Sequence, residues 1–247
     1  MSDNFRDLKK EAEAMKGEDA RSEVAMKNYP SSKWLVACEI MSLVSSVVVA
    51  EWAVMPFTGR GAELMFAGML PVAAAFALML FSRKVHGETW REVGIRFDNF
   101  WRALRLLLIP MLLAALLLFA LGLLLPKLEY GVPRVRKTPA WIFVWGIGWG
   151  FLQQFMLQGF VNRRAQMLFG KGFRSVLVVA LVFALLHMPN PWLTVATFCG
   201  GLLWAFVYQR TPNLFALALS HSLMTWLLIA TIPDALLHGL RVGYNYF

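Results

Sequence analysis

Charged residues are scarce in this 247-residue chain, at 16% of the total, whereas 58% of its residues are hydrophobic. Soluble domains contain about 25% charged residues, so this composition argues against a soluble globular fold. Cysteine is scarce too: Cys38 and Cys199 are the only two, and both lie in apolar stretches, so we expect no disulfide framework. The H-E-x-x-H pattern of zinc hydrolases is missing, as are internal repeats and low-complexity tracts.

Seven long apolar runs are present instead, at 34–55, 64–82, 106–125, 141–159, 175–188, 192–208 and 214–232. A helix needs about 20 such residues to cross roughly 30 Å of hydrocarbon, and uninterrupted runs of this length are typical of helices rather than strands. The fifth run has 14 residues, so it either begins earlier, at the interface, or crosses only part of the bilayer. The sequence predicts an all-α, polytopic membrane helix bundle of about seven transmembrane helices over 34–247, preceded by a charged tail over 1–33.

The formal net charge of +9 lies in the membrane part, because residues 1–33 contain seven basic and seven acidic residues. With the N-terminus inside, cytoplasmic segments carry 18 Lys or Arg and outer segments carry six. This asymmetry predicts a cytoplasmic N-terminus, and we expect an integral protein of a cytoplasmic (inner) membrane. Residues 1–33 contain no apolar stretch, so we expect no cleaved signal peptide. Loop charges that set topology explain the basic balance, so we expect membrane lipid, and no nucleic acid, as a partner.

The connecting segments carry recognisable loop signals. Residues 56–63, with one Pro and two Gly, indicate a turn, and 83–105 form the main cytoplasmic loop. Residues 160–174 mix apolar and basic side chains, which predicts an interfacial helix broken near Gly170 and Gly172. Four glycines in the fourth run predict close helix packing: Gly146, Gly148, Gly150 and Gly159. His86 and His238 lie at or beyond the ends of runs, where we expect them to be solvated.

A few polar residues interrupt the apolar runs, and such residues in a bilayer mark function or inter-helix hydrogen bonds. Gln154 and Gln158 lie one helical turn apart, and so do His221 and Thr225. His187 adds a third helix, although a simple depth count places it deeper than the others. The pattern therefore predicts either one buried polar cluster or hydrogen bonds that only hold the helices together.

Three short motifs lie at these polar residues: QQFMLQG at 153–159, FALLH at 183–187 and HSLMT at 221–225. In order, spacing and flanking sequence they resemble the CPBP family, the CAAX-protease and bacteriocin-processing (Abi) group of intramembrane endopeptidases. The motifs of that family are E-E-x-x-x-R-G, F-x-x-x-H and H-x-x-x-N. The resemblance covers roughly residues 88–230.

The resemblance implies six candidate catalytic positions: Gln153, Gln154, Gln158, His187, His221 and Thr225. In the family, the first Glu activates the attacking water, the second motif's His assists, and the last His and Asn stabilise the oxyanion. Here Gln153 stands at the base position, and an amide cannot accept a proton at neutral pH. Gln158 and Thr225 stand where the family has Arg and Asn, whereas both histidines match the family.

The resemblance therefore leaves three functions to compare. One is a CAAX-protease-like endopeptidase acting on peptides or proteins, prenylated or not, with a histidine or Glu39 as a substitute base. The second is a catalytically inactive relative, or pseudoenzyme, that serves as a membrane scaffold, chaperone or immunity-type protein. A transporter is disfavoured because no paired halves with interrupted spans are present. We expect no cofactor, and two histidines are a thin ligand set for a metal.

Glu39 lies about 9 Å into the first run, counted from Lys33 at 1.5 Å per residue, and the family motifs do not explain it. A carboxyl group at that depth needs donors. It either faces the glutamines of the fourth run or pairs with Lys33 or a loop arginine near the headgroups.

Overall fold

The computed structural model describes residues 32–54, 56, 62–130 and 137–247, the side chains of 62–68 and 126–130 excepted. Within these residues every regular element is helical, and no strand is present. The predicted all-α class is confirmed. The charged tail and most of the predicted turn at 56–63 lie outside the described residues.

The helices follow one another with short connections. They are α1 (Lys33–Val48), extended by a π-helical segment (Val49–Val54), α2 (Ala62–Val85), α3 (Trp90–Val93), α4 (Phe100–Tyr130), α5 (Ala140–Gln154), a second π-helical segment (Phe155–Asn162), α6 (Arg163–Phe169), α7 (Phe173–Leu185), α8 (Pro191–Arg210), α9 (Leu214–Thr231) and α10 (Asp234–Leu237). Two short 3-10 turns, His238–Leu240 and Gly243–Tyr246, close the chain.

Five of the described helical stretches are long and apolar enough to cross a membrane: Lys33–Val54, Phe100–Leu125, Ala140–Phe169, Pro191–Arg210 and Leu214–Thr231. The polytopic membrane bundle is thus confirmed, but the predicted count of seven is not. Helix α7 has only 13 residues, about 20 Å at 1.5 Å per residue, which is less than the roughly 30 Å of a hydrocarbon core. Of the two alternatives for the fifth run, partial crossing fits this length better.

Helix α9 packs against α5 and α4, and α7 packs against α8. Glycine makes the α5–α9 contact close. A Cβ atom at Gly146 would lie 2.6 Å from Ser222 Oγ, and one at Gly150 would lie 3.2 Å from Ala218 O. A Cβ atom at Gly148 would have nothing within 4 Å. The predicted close packing therefore holds for Gly146 and Gly150 but not for Gly148.

Polar caps hold the ends of the later helices. The Asn190 side chain accepts a hydrogen bond from Leu193 N–H at the start of α8, and Asn213 accepts one from Ala216 N–H at the start of α9. Such caps satisfy backbone donors that a helix leaves free. Asn213 also donates to Arg96 O, which ties the loop before α4 to the start of α9.

The long helix that begins at Ala140 changes character in its middle. The π-helical segment Phe155–Asn162 follows α5 directly, and α6 continues it to Phe169. Gly170 and Gly172 then adopt positive φ angles of 76° and 133° before α7 starts. The predicted break near these two glycines is confirmed. A π-helical turn within an α-helix occurs often at functional sites, and here it follows Gln154 directly.

Candidate active site

Gln154 and His221 form the central contact of the site. Gln154 is the last residue of α5 and is fully buried, and His221 lies in the second turn of α9 with 7% of its surface exposed. Gln154 Nε2 lies 3.1 Å from His221 Nδ1. Gly150 lies beside this contact, since a Cβ atom there would be 3.5 Å from His221 Cβ.

Two aromatic rings also contact His221. The ring of Trp204 in α8 is parallel to the imidazole, with 4.6 Å between centroids and 8° between planes. Phe183 in α7 presents an edge contact, with centroids 5.9 Å apart. Four helices, α5, α7, α8 and α9, therefore contribute to the surroundings of one histidine.

His187 reaches the same group through Phe183. It follows the last turn of α7, and its ring contacts Phe183 edge-on, with 4.7 Å between centroids. Its Nδ1 lies 2.7 Å from the Phe183 carbonyl oxygen. The two histidines thus both contact one shared phenylalanine ring, as the F-x-x-x-H spacing allows. The sequence left open one buried polar cluster or hydrogen bonds that only hold the helices together, and which of the two applies stays open.

Both imidazoles use Nδ1 in a hydrogen bond, but their Nε2 atoms differ in protonation. A carbonyl oxygen only accepts, so His187 Nδ1 carries the proton and its Nε2 has a free lone pair. An amide nitrogen only donates, so His221 Nδ1 accepts from Gln154 and the proton of the neutral ring is on Nε2. The site therefore contains one imidazole acceptor and one imidazole donor, as acid–base chemistry requires.

A chain of amides runs from Gln158 toward the start of α7. Asn162 Nδ2 donates to Gln158 Oε1 at 2.7 Å, and Asn162 Oδ1 accepts from Gln166 and from Gln209 at 2.9 Å and 3.0 Å. Gln209 also accepts from Gly172 N–H. Within the described residues, Gln154 Oε1 and Gln158 Nε2 have no protein partner. Both atoms are buried, so one acceptor and one donor of the site are left without a hydrogen bond to the described part of the chain.

The two remaining predicted positions, Gln153 and Thr225, make weaker connections. Both are partly buried, and among the described residues neither side chain forms a hydrogen bond. Gln153 precedes Gln154 in α5, and Thr225 lies one turn after His221 in α9. The amide that contacts a histidine is thus Gln154, and the place of Gln153 in the site stays a prediction.

Glu39 belongs to a different group of residues, which we call the ionic cluster and define as Glu39, Ser82, His86, Glu88, Arg163 and Arg164. Arg164 is fully buried and donates to Glu39 Oε2 at 2.7 Å and to Glu88 Oε1 at 2.9 Å. The other Glu39 oxygen lies 3.2 Å from His86 Nε2. The hypothesis that Glu39 faces the glutamines is therefore contradicted, and pairing with an arginine is what the structure shows.

The solvated position expected for His86 is also wrong. Its side chain is only 9% exposed because it packs beside Glu39. His238 is exposed, as expected. The ionic cluster joins α1, the end of α2, the segment before α3, and α6. It fixes α6, which continues directly from the π-helical segment after Gln154, so it supports the site from outside.

Metal binding has no obvious place in this arrangement. Over the ranges that the structure describes, no three His, Cys, Asp or Glu side chains are grouped so that they could hold a metal ion. The groups that surround His221 are an amide and aromatic rings, which are poor ligands for zinc.

Comparison with known protein families matches one part of the chain. The family described as Type II CAAX prenyl endopeptidase Rce1-like matches residues 135–227. That range contains α5, the π-helical segment, α6, α7, α8 and most of α9, together with every predicted site residue. No curated protein and no solved structure matches the chain. The resemblance to CAAX proteases is thus confirmed over this range.

Sequence reasoning missed several residues of the site. Trp204 and Asn162 lie in the segments that resemble the family, but their residue types alone indicate no role. Arg164 carried a usable signal, because an arginine within a long, largely apolar helix needs an acidic partner when it is buried. Its partner Glu88 lies 76 positions away in a loop, beyond the reach of any helical spacing argument.

Proposed function

We propose that this chain is an intramembrane endopeptidase that hydrolyses a peptide bond at the membrane, with His187 as base in place of the family's glutamate. The observation that carries the proposal is the opposite hydrogen bonding of the two histidines around Phe183. His187 Nδ1 is held by a carbonyl oxygen at 2.7 Å, and His221 Nδ1 is held by an amide nitrogen at 3.1 Å. One ring can therefore accept a proton while the other donates a hydrogen bond.

In the proposed reaction, His187 Nε2 and His221 Nε2–H have separate roles. His187 Nε2 accepts a proton from water as the water oxygen attacks the peptide carbonyl carbon. His221 Nε2–H donates to the oxyanion that forms, and burial makes this hydrogen bond stronger than it is in water. Collapse of the tetrahedral intermediate breaks the C–N bond, and the proton held by His187 passes to the leaving amine. The products are a carboxylate and an amine.

Gln154 positions His221 in this scheme. The amide N–H bond to Nδ1 fixes the tautomer that has its proton on Nε2, which is the form that can donate. Asn162 donates a hydrogen bond to Gln158 Oε1 at 2.7 Å, and this bond fixes the direction in which Gln158 Nε2, unpaired among the described residues, points. We assign both glutamines to positioning and substrate contact rather than to proton transfer, since amides do not titrate.

The family description names prenyl CAAX endopeptidases, and it supports our choice of substrate class. We propose peptides that end in C-a-a-X with a prenylated cysteine, which the membrane would concentrate beside the site. Apolar side chains of α5 such as Trp141 and Trp145 are 67% and 70% exposed, so this helix presents an apolar surface to lipid or to a lipidated ligand.

A catalytically inactive relative is the second candidate, and one observation favours it. No carboxylate accompanies the two histidines among the described contacts, because Gln153 and Gln154 replace the family's glutamates and Glu39 is engaged by Arg164. Such a protein would bind the same peptides without cleaving them.

Mass spectrometry of peptide products separates the two candidates. Purified full-length protein in nanodiscs is incubated with matched prenylated and unprenylated C-a-a-X peptides in water enriched in ¹⁸O. The proposal predicts a shortened prenyl peptide with one ¹⁸O atom in its new carboxylate. Binding of the prenyl peptide without any product would instead establish the inactive relative, and no binding or cleavage of either peptide would contradict both.

A further inference from the structure

Trp204 makes two independent contacts with the segment that carries His221. Its ring lies parallel to the imidazole, with centroids 4.6 Å apart. Its indole N–H donates to Ser220 Oγ at 3.0 Å, and Ser220 is the residue directly before His221. Ser220 Oγ in turn donates to Leu217 O at 2.8 Å. The ring and the backbone turn of His221 are therefore held by one side chain.

The surroundings leave Trp204 little freedom. It is 5% exposed, and a Cβ atom at Gly200, one turn earlier in α8, would lie 2.7 Å from Trp204 Cζ3. Phe183 also contacts the Trp204 ring, with 6.2 Å between centroids. A tryptophan that only fills space needs some partner for its N–H. Here that partner is on the same helical turn as His221, which links the two contacts.

We infer that Trp204 is a positioning residue for His221, and that it keeps the imidazole plane in the orientation that Gln154 meets at Nδ1. The stacking fixes the tilt of the ring, the indole N–H fixes the turn at Ser220, and Gln154 fixes the rotation of the ring in its plane. The catalytic consequence rests on the proposed function, because it concerns the availability of His221 Nε2–H. The geometric part does not depend on any activity.

Histidine nuclear magnetic resonance tests the geometric part directly. The chain has only four histidines, so ¹⁵N-histidine labelling of the full-length protein in nanodiscs gives few signals. His221→Asn assigns the signals of His221. In the wild type we expect ring-current shifts of the His221 ring protons, Overhauser contacts from them to an indole, and a single tautomer with its proton on Nε2. Absence of those contacts in the folded wild type would overturn the inference without the need for any variant.

Two substitutions separate the contribution of the Trp204 ring stacking from that of its indole hydrogen bond. Trp204→Leu removes both contacts, so the His221 protons should lose the ring-current shift and the ring should populate both tautomers. Trp204→Phe keeps an aromatic face but loses the N–H, so it should retain most of the shift. Trp192→Leu is the matched control, because Trp192 is in the same helix and is 37% exposed. A His221 signal that changes equally in Trp204→Leu and Trp192→Leu would contradict the inference.

Peptide cleavage tests the catalytic part. An aromatic pair contact corresponds to about a 2- to 12-fold factor, so Trp204→Leu should lower kcat by about that factor while KM stays unchanged. Trp204→Phe should recover much of the loss. Equal kcat in Trp204→Leu and wild type would overturn the catalytic consequence. If the wild type cleaves no peptide, the proposed function fails, whereas the magnetic resonance result still decides whether Trp204 orients His221.

Discussion

Replacement of Arg164 by methionine should strongly destabilise the protein, because it leaves two buried acids of the ionic cluster without their shared guanidinium. Arg164 is fully buried and bonds to Glu39, Ser82 and Glu88 at 2.7 to 3.2 Å. Removal of one partner from a buried ion pair costs about 3–5 kcal/mol, since the remaining charge lies in a medium of low polarity.

The other contacts in the cluster place the expected loss near the lower end of that range. Glu88 keeps Arg163 at 2.5 Å, and Glu39 keeps His86 at 3.2 Å, so neither acid is left fully unpaired. We therefore expect about 3 kcal/mol, which corresponds to a Tm lower by roughly 6–12 °C for a chain of this size. Thermal unfolding of the purified protein in detergent, followed by far-ultraviolet circular dichroism, measures this shift.

Two controls make this experiment specific. Arg174 is exposed, so Arg174→Met should change stability by less than about 0.5 kcal/mol. Without Arg164, Glu39 loses its arginine partner and keeps the contact with His86. Adding Glu39→Gln to Arg164→Met removes this charge, so the double variant should recover part of the lost stability. The reasoning is refuted if Arg164→Met unfolds at the same temperature as Arg174→Met.

Three further predictions concern the helix that carries the site and the acid that supports it. Gly146→Ala should lower stability by about 1–3 kcal/mol, because its Cβ would lie 2.6 Å from Ser222 Oγ, whereas Gly148→Ala, with free space, should be neutral or slightly stabilising by thermal unfolding. Gln153→Glu should raise the rate of peptide cleavage, because it supplies a carboxylate that can accept a proton from water, and no gain in a folded variant would contradict that view. Glu39→Gln should lower the Tm but leave kcat within about twofold for the folded fraction, since Glu39 pairs with Arg164 rather than with the site, and lost activity at full stability would contradict this assignment.

The sequence was sufficient for the fold class, because membrane helices are specified by long apolar runs that need no tertiary information. The break at Gly170 and Gly172 was predictable for a similar local reason. Glycine adopts positive φ angles more readily than other residues, and both glycines do so here. The count of seven spans is not confirmed. The second run, in α2, and the fifth, in α7, are not among the five spanning stretches of the described residues, and α7 is only 13 residues long. The predicted orientation, with the N-terminus inside, stays a prediction that reporter fusions can test.

The candidate site was predictable in its histidines and less so in their partners. The H-x-x-x-T and F-x-x-x-H spacings place His221 and His187 on their helices, but which glutamine meets His221 depends on the rotation of α5 against α9. The structure shows Gln154 at 3.1 Å, whereas the family motif places Gln153 at the base position. Trp204 and the Glu39–Arg164 pair join residues far apart in sequence, and single-sequence patterns contain no such information.

Cleavage kinetics of histidine variants test the central claim, which is that His187 and His221 form one hydrolytic centre. The measurement is kcat/KM for a prenylated C-a-a-X peptide in nanodiscs, for wild type, His187→Ala, His221→Ala and the exposed control His238→Ala. The account predicts losses of about 10²- to 10⁴-fold for the first two variants, the usual contribution of general acid–base groups, and no loss for His238→Ala. Cleavage that survives in either His187→Ala or His221→Ala at the wild-type rate would contradict the account.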